Sequence, residues 1–521
     1  MSFMRIIDDK CDQIVRVVGR HSVYIMPVIL ILSVCLNLFY AVSLPLTSLQ
    51  ELYFIQNITQ DFNPAFDISA AYHNLYQFFG FFASPDNIIP YRIIPVLGNI
   101  LMTMGIFLCS RRLFGREAGF IAGILSSIIF SQYVTAPQMS LCVGIILIYY
   151  YALICLWRNH YTGDAYAFHI RHKIIFWLSS LLSVMLIPVS WIALIIPIIC
   201  LSLLGKNIKW LYPLGLFSFG IMSIGFTVLY ALMTDLSITD FLYNPKIPLS
   251  YMSQHLMLMG GLILFAPLSL WYGIKNRHDE RFLFIMTAIV PLWIVFEMMP
   301  YHNDFMILVI MSLLCILTAG MIIKYSNTDY YTPKFISWLS VGLYIFVILC
   351  TLYVVGGLYH SINLSWDMPV IILGILFLSI SIFNIIMFQK TLFYGIIGGL
   401  FVQMLIMTYG VGTYILPAYH DKNMNKSILS AIASSGCSQN SVFVADYNAD
   451  IFNFKYYANI HSVPLTQAVT EFQNATPCSL FFIPKYDSVF KQTYVNISPI
   501  HSVSGFDMNR LDFVHFNLYK R

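Results

Sequence analysis

Runs of about 20 apolar residues recur along most of this chain, and in hydrocarbon such a run satisfies its backbone polar groups only as a helix. Thirteen candidates lie between polar breaks, at 23–44, 93–110, 117–134, 138–157, 174–188, 190–205, 211–233, 254–274, 282–298, 305–323, 335–357, 368–388 and 391–416. Over 521 residues, hydrophobic types reach 59% and charged types 10%, against roughly 25% charge in a soluble domain. A net charge of +4 is too dilute for a nucleic-acid partner, and 41 Phe with 34 Tyr exclude disorder. The fold class read from this is an α-helical polytopic membrane protein with about 13 transmembrane helices.

Orientation follows from Lys and Arg, which collect in short cytoplasmic loops. With the N-terminus inside, 18 of the 28 fall in inside segments, from Arg5 to Lys390, and only Arg92 and Lys246 in outside loops before residue 417. An odd number of spans then puts the tail outside. The first span is too long for a cleaved signal and is read as an anchor.

From Asp421 the composition turns polar with short apolar runs. The organisation expected is a membrane part over 1–416 and a small outer α/β domain over 417–521. Ser427–Ser434 and Leu465–Gln473 read as helices, and Val442–Asp446, Ser479–Ile483 and Phe513–Tyr519 as strands. Eight of ten cysteines lie in or beside spans or in the N-terminal segment. Cys437 and Cys478 do not, and on an oxidising side they are expected to form a disulfide, with two buried free thiols as the alternative.

The sequence contains no CxxC or HExxH metal spacing, phosphate loop or nucleophile elbow. No metal site is read, and a divalent ion is left open as a cofactor. Outer polar residues close to the membrane carry most information, because each one costs desolvation. The first outer loop, 45–91, holds Glu51, Asp61, Asp67 and Asp86, and its spaced aromatics over Leu52–Ile58 and Ala70–Phe82 suit interfacial helices. Arg92 and Lys246 are the scarce outer cations; Tyr301 and His302 sit in a short outer loop. For Arg92 the competing reading is a side chain that snorkels from the end of its span.

Pro45-Leu46-Thr47-Ser48-Leu49-Gln50-Glu51-Leu52-Tyr53, directly after the first span, resembles the acidic-pair segment of the glycosyltransferase C superfamily, which uses lipid-linked sugars. The branches it is similar to are the protein O-mannosyltransferase-like enzymes and the lipid A aminoarabinose transferase. Tyr91-Arg92-Ile93-Ile94-Pro95 and the arginine-rich turn Arg111-Arg112-Leu113-Phe114-Gly115-Arg116 resemble their second and third spans. The resemblance covers about residues 23–160 and is topological beyond. Three positions depart from the pattern: Gln50 replaces the first acid, the Ser131–Ser140 segment lacks an acid, and Val189-Ser190-Trp191 stands where the lipid A branch has Thr-Lys-Gly.

What the resemblance implies is an inverting transferase; the setting expected is a bacterial inner membrane, with the N-terminus cytoplasmic and the tail periplasmic as the Lys and Arg positions place them. Its donor would be a polyprenyl-phosphate sugar, and its acceptor a lipid, glycan or protein. On chemical grounds Glu51 would be the base and Asp61 its reserve, the scarce outer groups Arg92, Lys246, Tyr301 and His302 would bind the donor, and membrane lipids are further partners. Alternatives are a flippase or transporter of lipid-linked saccharides, a glycan polymerase or ligase, and a non-catalytic relative.

Overall fold

The structure is a computed structural model that describes residues 2–20, 89–128, 140–162, 166–187, 190–203, 259–298, 304–326, 333–361, 368–410, 424–437, 441–445, 460–485, 487–494, 497–507 and 512–521. The spans read at 23–44 and 211–233 and the interfacial helices of the first loop lie outside the described residues.

In chain order the described helices before residue 411 begin with α1 (Ser2–Arg20), α2 (Ile89–Phe114), α3 (Arg116–Ile128), α4 (Ser140–Thr162), α5 (Tyr166–Leu186) and α6 (Trp191–Leu203). After them come α7 (Ala266–Lys275), α8 (Glu280–Met298), α9 (Asp304–Ser326), α10 (Lys334–Ser361), α11 (Met368–Gln389) and α12 (Phe393–Gly410). Among the described residues five helices are long and apolar enough to cross a bilayer: α2, α4, α9, α10 and α11. The chain is an integral membrane protein.

Burial sorts these helices. Across Ile307–Tyr325 of α9, 89% of residues are buried, and α9 packs on α2, α3, α4, α7 and α8. In Met368–Gln389 of α11 only 22% are buried; Ile372, Ile375 and Ile382 face outward, as do Phe335, Trp338 and Tyr353 of α10. Outward apolar side chains of this density belong against lipid. Helices α2 and α4 approach through small residues: a Cβ at Gly98 would meet the backbone of Leu141, and one at Gly144 would lie 2.9 Å from the Met102 nitrogen. Small residues let membrane helices pack backbone to backbone, where dispersion replaces the missing hydrophobic drive.

One expected span is broken. Residues 254–274 read as one helix, but Gly260–Leu264 is a 3₁₀ turn and α7 starts anew after Phe265. Pro267, in the first turn of α7, has no N–H to continue the ladder, and Gly260 takes a positive φ of 51°.

Helix α1 is strongly amphipathic, packs on α3 and α12, and leaves Ile6, Ile14 and Val17 exposed. The Asp8 carboxylate accepts a hydrogen bond (2.9 Å) from the Gly395 N–H in the first turn of α12. Burial raises the Asp8 pKa above its ordinary value, against the lowering effect of the backbone donors Gly395 and Tyr394.

Aromatic contacts gather helix ends on one face. Phe114 at the end of α2 meets Phe282 near the start of α8 (4.9 Å), Phe282 meets Tyr272 of α7, Tyr272 meets Tyr325 of α9, and Tyr325 meets Phe393 of α12. The turns joined there carry Arg111, Arg112, Arg116, Lys275, Arg277, Arg281, Lys324 and Lys390, so cations scattered along the sequence share one face. Asp279 is ion-paired to Lys324 (2.8 Å) and Arg281 (3.0 Å). Burial alone would raise the Asp279 pKa, but the hydrogen bonds from Lys324 and Arg281 outweigh it and hold the carboxyl below its ordinary value. An acid whose folded pKa is depressed stabilises the fold above its unfolded value, 3.8, and loses that contribution as pH falls through the folded one. Lys324→Ala is therefore expected to cost about 0.5–1 kcal/mol at neutral pH, screened by salt. The cost should vanish in acid below that range, and thermal unfolding of wild type and variant across pH checks it.

Residues 424–521 form a mixed sheet between helices. Helix α13 (Met424–Ser434) precedes β1 (Val442–Ala445), β2 (Ile460–Val463), α14 (Leu465–Asn474), β3 (Leu480–Pro484), α15 (Val489–Thr493), β4 (His501–Asp507) and β5 (Asp512–Lys520). The strand order is β2-β1-β3-β5-β4, with β1 parallel to β2 and β3, and β5 antiparallel to β3 and β4. Alternation assigns the faces. Val442, Val444, Leu480 and Phe482 pack under α13, while Phe443, Ala445, Phe481 and Ile483 meet α14 and α15. Phe443 and Phe481 are register partners and stack at 4.6 Å.

Candidate functional site

Arg92 lies in the first turn of α2, at the end opposite the arginine-rich turn. Only 6% of it is exposed and it is engaged with a partner, so it does not snorkel into solvent. Seven and eleven residues further along are Asn99 and Thr103, both buried. At 100° per residue these three fall within about 40° of arc, so one inward face of α2 runs from guanidinium to amide to hydroxyl.

Neighbouring helices add hydroxyls to this stripe. Ser126 of α3 donates to the Gly123 carbonyl (2.7 Å) and approaches Thr103 Oγ1 at 3.5 Å. At the start of α4, buried Ser140 donates to the Pro95 carbonyl (3.0 Å), fixing α4 against the N-terminal third of α2. A buried polar stripe in a membrane helix is costly, and such stripes commonly line a substrate or ion path. Sequence reading singled out Arg92 alone; the signal it missed is the 7- and 4-residue spacing of Arg92, Asn99 and Thr103.

Glu51, Asp61, Lys246, Tyr301 and His302 lie outside the described residues. Arg92 is thus the donor-binding candidate whose surroundings the structure gives. Among the described residues no group of three His, Cys, Asp or Glu side chains is placed to hold a metal ion.

The cysteine pair is far from this stripe in sequence. Cys437 and Cys478 are joined by a disulfide with Cα atoms 5.6 Å apart, linking the turn after α13 to the turn before β3. Cys478 takes a positive φ of 71°, and its N–H donates to the Arg521 carbonyl (2.7 Å), so the same turn also holds the end of β5.

No protein-family model and no curated protein sequence matches this chain. Solved structures do match in shape. ArnT from Cupriavidus metallidurans superposes in its apo state with a TM-score of 0.61, and bound to undecaprenyl phosphate with 0.62. Each is 12% identical and spans 93% of this chain and 97% of its own. An apo oligosaccharyltransferase from Archaeoglobus fulgidus overlaps more loosely, with a TM-score of 0.39 and 11% identity over 63% of this chain and 54% of its own. The fold of this chain is therefore that of the ArnT structures.

Proposed function

We propose that this protein transfers a sugar from a polyprenyl-phosphate carrier to an acceptor hydroxyl on a lipid, glycan or protein, with inversion at the anomeric carbon. The observation that carries the reading is the ArnT-like fold over nearly the whole chain, seen in a relative bound to undecaprenyl phosphate. It is supported by a buried arginine at the head of an inward polar stripe. In the reaction the acceptor oxygen attacks the anomeric carbon, the bond from that carbon to the phosphate oxygen breaks, and Glu51 takes the hydroxyl proton. The departing polyprenyl phosphate carries the bonding pair away. Arg92 and Lys246 offset its charge, with Tyr301 and His302 as further polar contacts and Asp61 as the second acid of the first loop.

The experiment is an assay of the purified chain in nanodiscs against a panel of polyprenyl-phosphate sugars, reading transfer and donor binding separately. Arg92→Ala and Lys246→Ala are expected to weaken donor binding at least as much as turnover, because a phosphate contact is made before as well as during transfer. No turnover by the wild type across the panel overturns the enzymatic reading in favour of a non-catalytic relative.

The same proposal sets the orientation. The cationic face lies in the cytoplasm, and Arg92 and residues 417–521 lie in the periplasm of a bacterial inner membrane. Cysteine labelling is expected to find positions His160, Ile208 and His278 inside and Ala70, Pro245 and Asn440 outside. A cytoplasmic Asn440 would reverse the side of every site residue named here.

A further inference from the structure

On the cationic face, well removed from Arg92, the turn between α2 and α3 borders an open cavity of about 390 Å³ lined by Leu108, Arg111, Arg112, Gly115, Arg116 and Tyr151. We propose that this cavity binds the phosphoryl group of an anionic phospholipid from the leaflet on that face. Three guanidiniums line one concave volume, and a phosphoryl group there would be attracted by all three. Each offers a planar fork of N–H donors matched to phosphate oxygens.

The backbone contributes in the same direction. Gly115, with φ of 107°, turns the chain, and its carbonyl accepts from the Gly119 N–H, so α3 begins at the cavity wall. The first N–H groups of that 13-residue helix have no carbonyl partner within it, and its first turn also carries Glu117. The turn is held firmly: Phe114 packs on Phe282, and its ring fills the space above Gly320 of α9.

Two features favour a lipid over a soluble phosphate. Leu108 belongs to the apolar stretch Arg92–Phe114, so the cavity floor sits where the spanning part of α2 ends. Beside it α1 packs on α3 and leaves Ile6, Ile14 and Val17 exposed, as in a helix lying in a membrane interface. The phosphate would meet the arginines at headgroup level, and the acyl chains would run down past Leu108.

The test is native mass spectrometry of the purified full chain titrated with phosphatidylglycerol and, separately, phosphatidylcholine. The wild type is expected to retain phosphatidylglycerol preferentially. Arg111→Gln/Arg116→Gln should retain about tenfold less, as two charge-assisted bonds are lost. Lys334→Gln/Lys390→Gln removes the same charge from the same face outside the cavity and should change retention by less than about twofold. Arg116→Gln alone changes an exposed side chain and should give a partial loss in a protein of unchanged melting temperature. Equal losses from the arginine and lysine pairs would mean diffuse attraction and overturn the site. So would undiminished retention in the arginine pair. Displacement of the lipid by glycerol 3-phosphate at equal concentration would overturn the lipid as the occupant.

Discussion

Glu51→Gln is expected to lower sugar transfer by about 10²–10⁴-fold, the range for loss of a general base. Donor binding should survive, because Gln keeps the volume and hydrogen-bonding capacity of Glu while losing the proton acceptor. Resemblance marks a pair of acids after the first span, and this chain has Gln50 and Glu51 there, so in the proposed reaction the proton transfer would rest on one carboxylate. Nanodisc assays that separate transfer from binding decide the matter. Full transfer in Glu51→Gln would remove it from the reaction and move the role to Asp61.

Cys437→Ser/Cys478→Ser is expected to loosen the C-terminal sheet by about 4 kcal/mol, the chain-entropy value for a loop of this length. The two cysteines are 41 residues apart, and the loop they close contains β1, β2 and α14. Against the roughly 5–15 kcal/mol that holds a typical domain, the loss would open the sheet often enough for protease to cut it. Limited proteolysis of the full chain in nanodiscs should show faster cleavage within residues 424–521 in the variant, and equally in wild type under reductant. Unchanged protection would mean that packing of the two cores alone holds the sheet.

Much of the helical architecture could be read from the sequence because each span is a hydropathy run that a bilayer forces into a helix. The segments that escaped reading lack such a forcing. Helix α1 forms no hydropathy run, since Asp8, Asp9 and Asp12 interrupt its apolar residues. Its helix is completed by tertiary partners, Asp8 on Gly395 above all. Strand β2 is only Ile-His-Ser-Val, and β4 carries His501 and Gly505, so neither shows strict alternation, and both lie at the edges of the sheet. The central strands β1 and β3 are dense in Val, Phe and Ile and were legible, as was β5. At the candidate site the sequence showed a scarce cation at position 92. It did not show that Asn99 and Thr103 extend that cation inward, because two uncharged residues hardly dent the mean hydropathy of a span.

The Asp8–Gly395 hydrogen bond spans 387 residues of chain. Synthesis runs from the N-terminus at about 5–20 residues per second. Asp8 therefore leaves the ribosome roughly 20–80 s before its partner exists. Throughout that interval α1 has no docking place on α12, and its Ile6, Ile14 and Val17 side chains can rest only on lipid or on the first helices made. The contact forms only after every helix from α2 to α11 has been made, and it registers at the start of the chain that α12 has arrived.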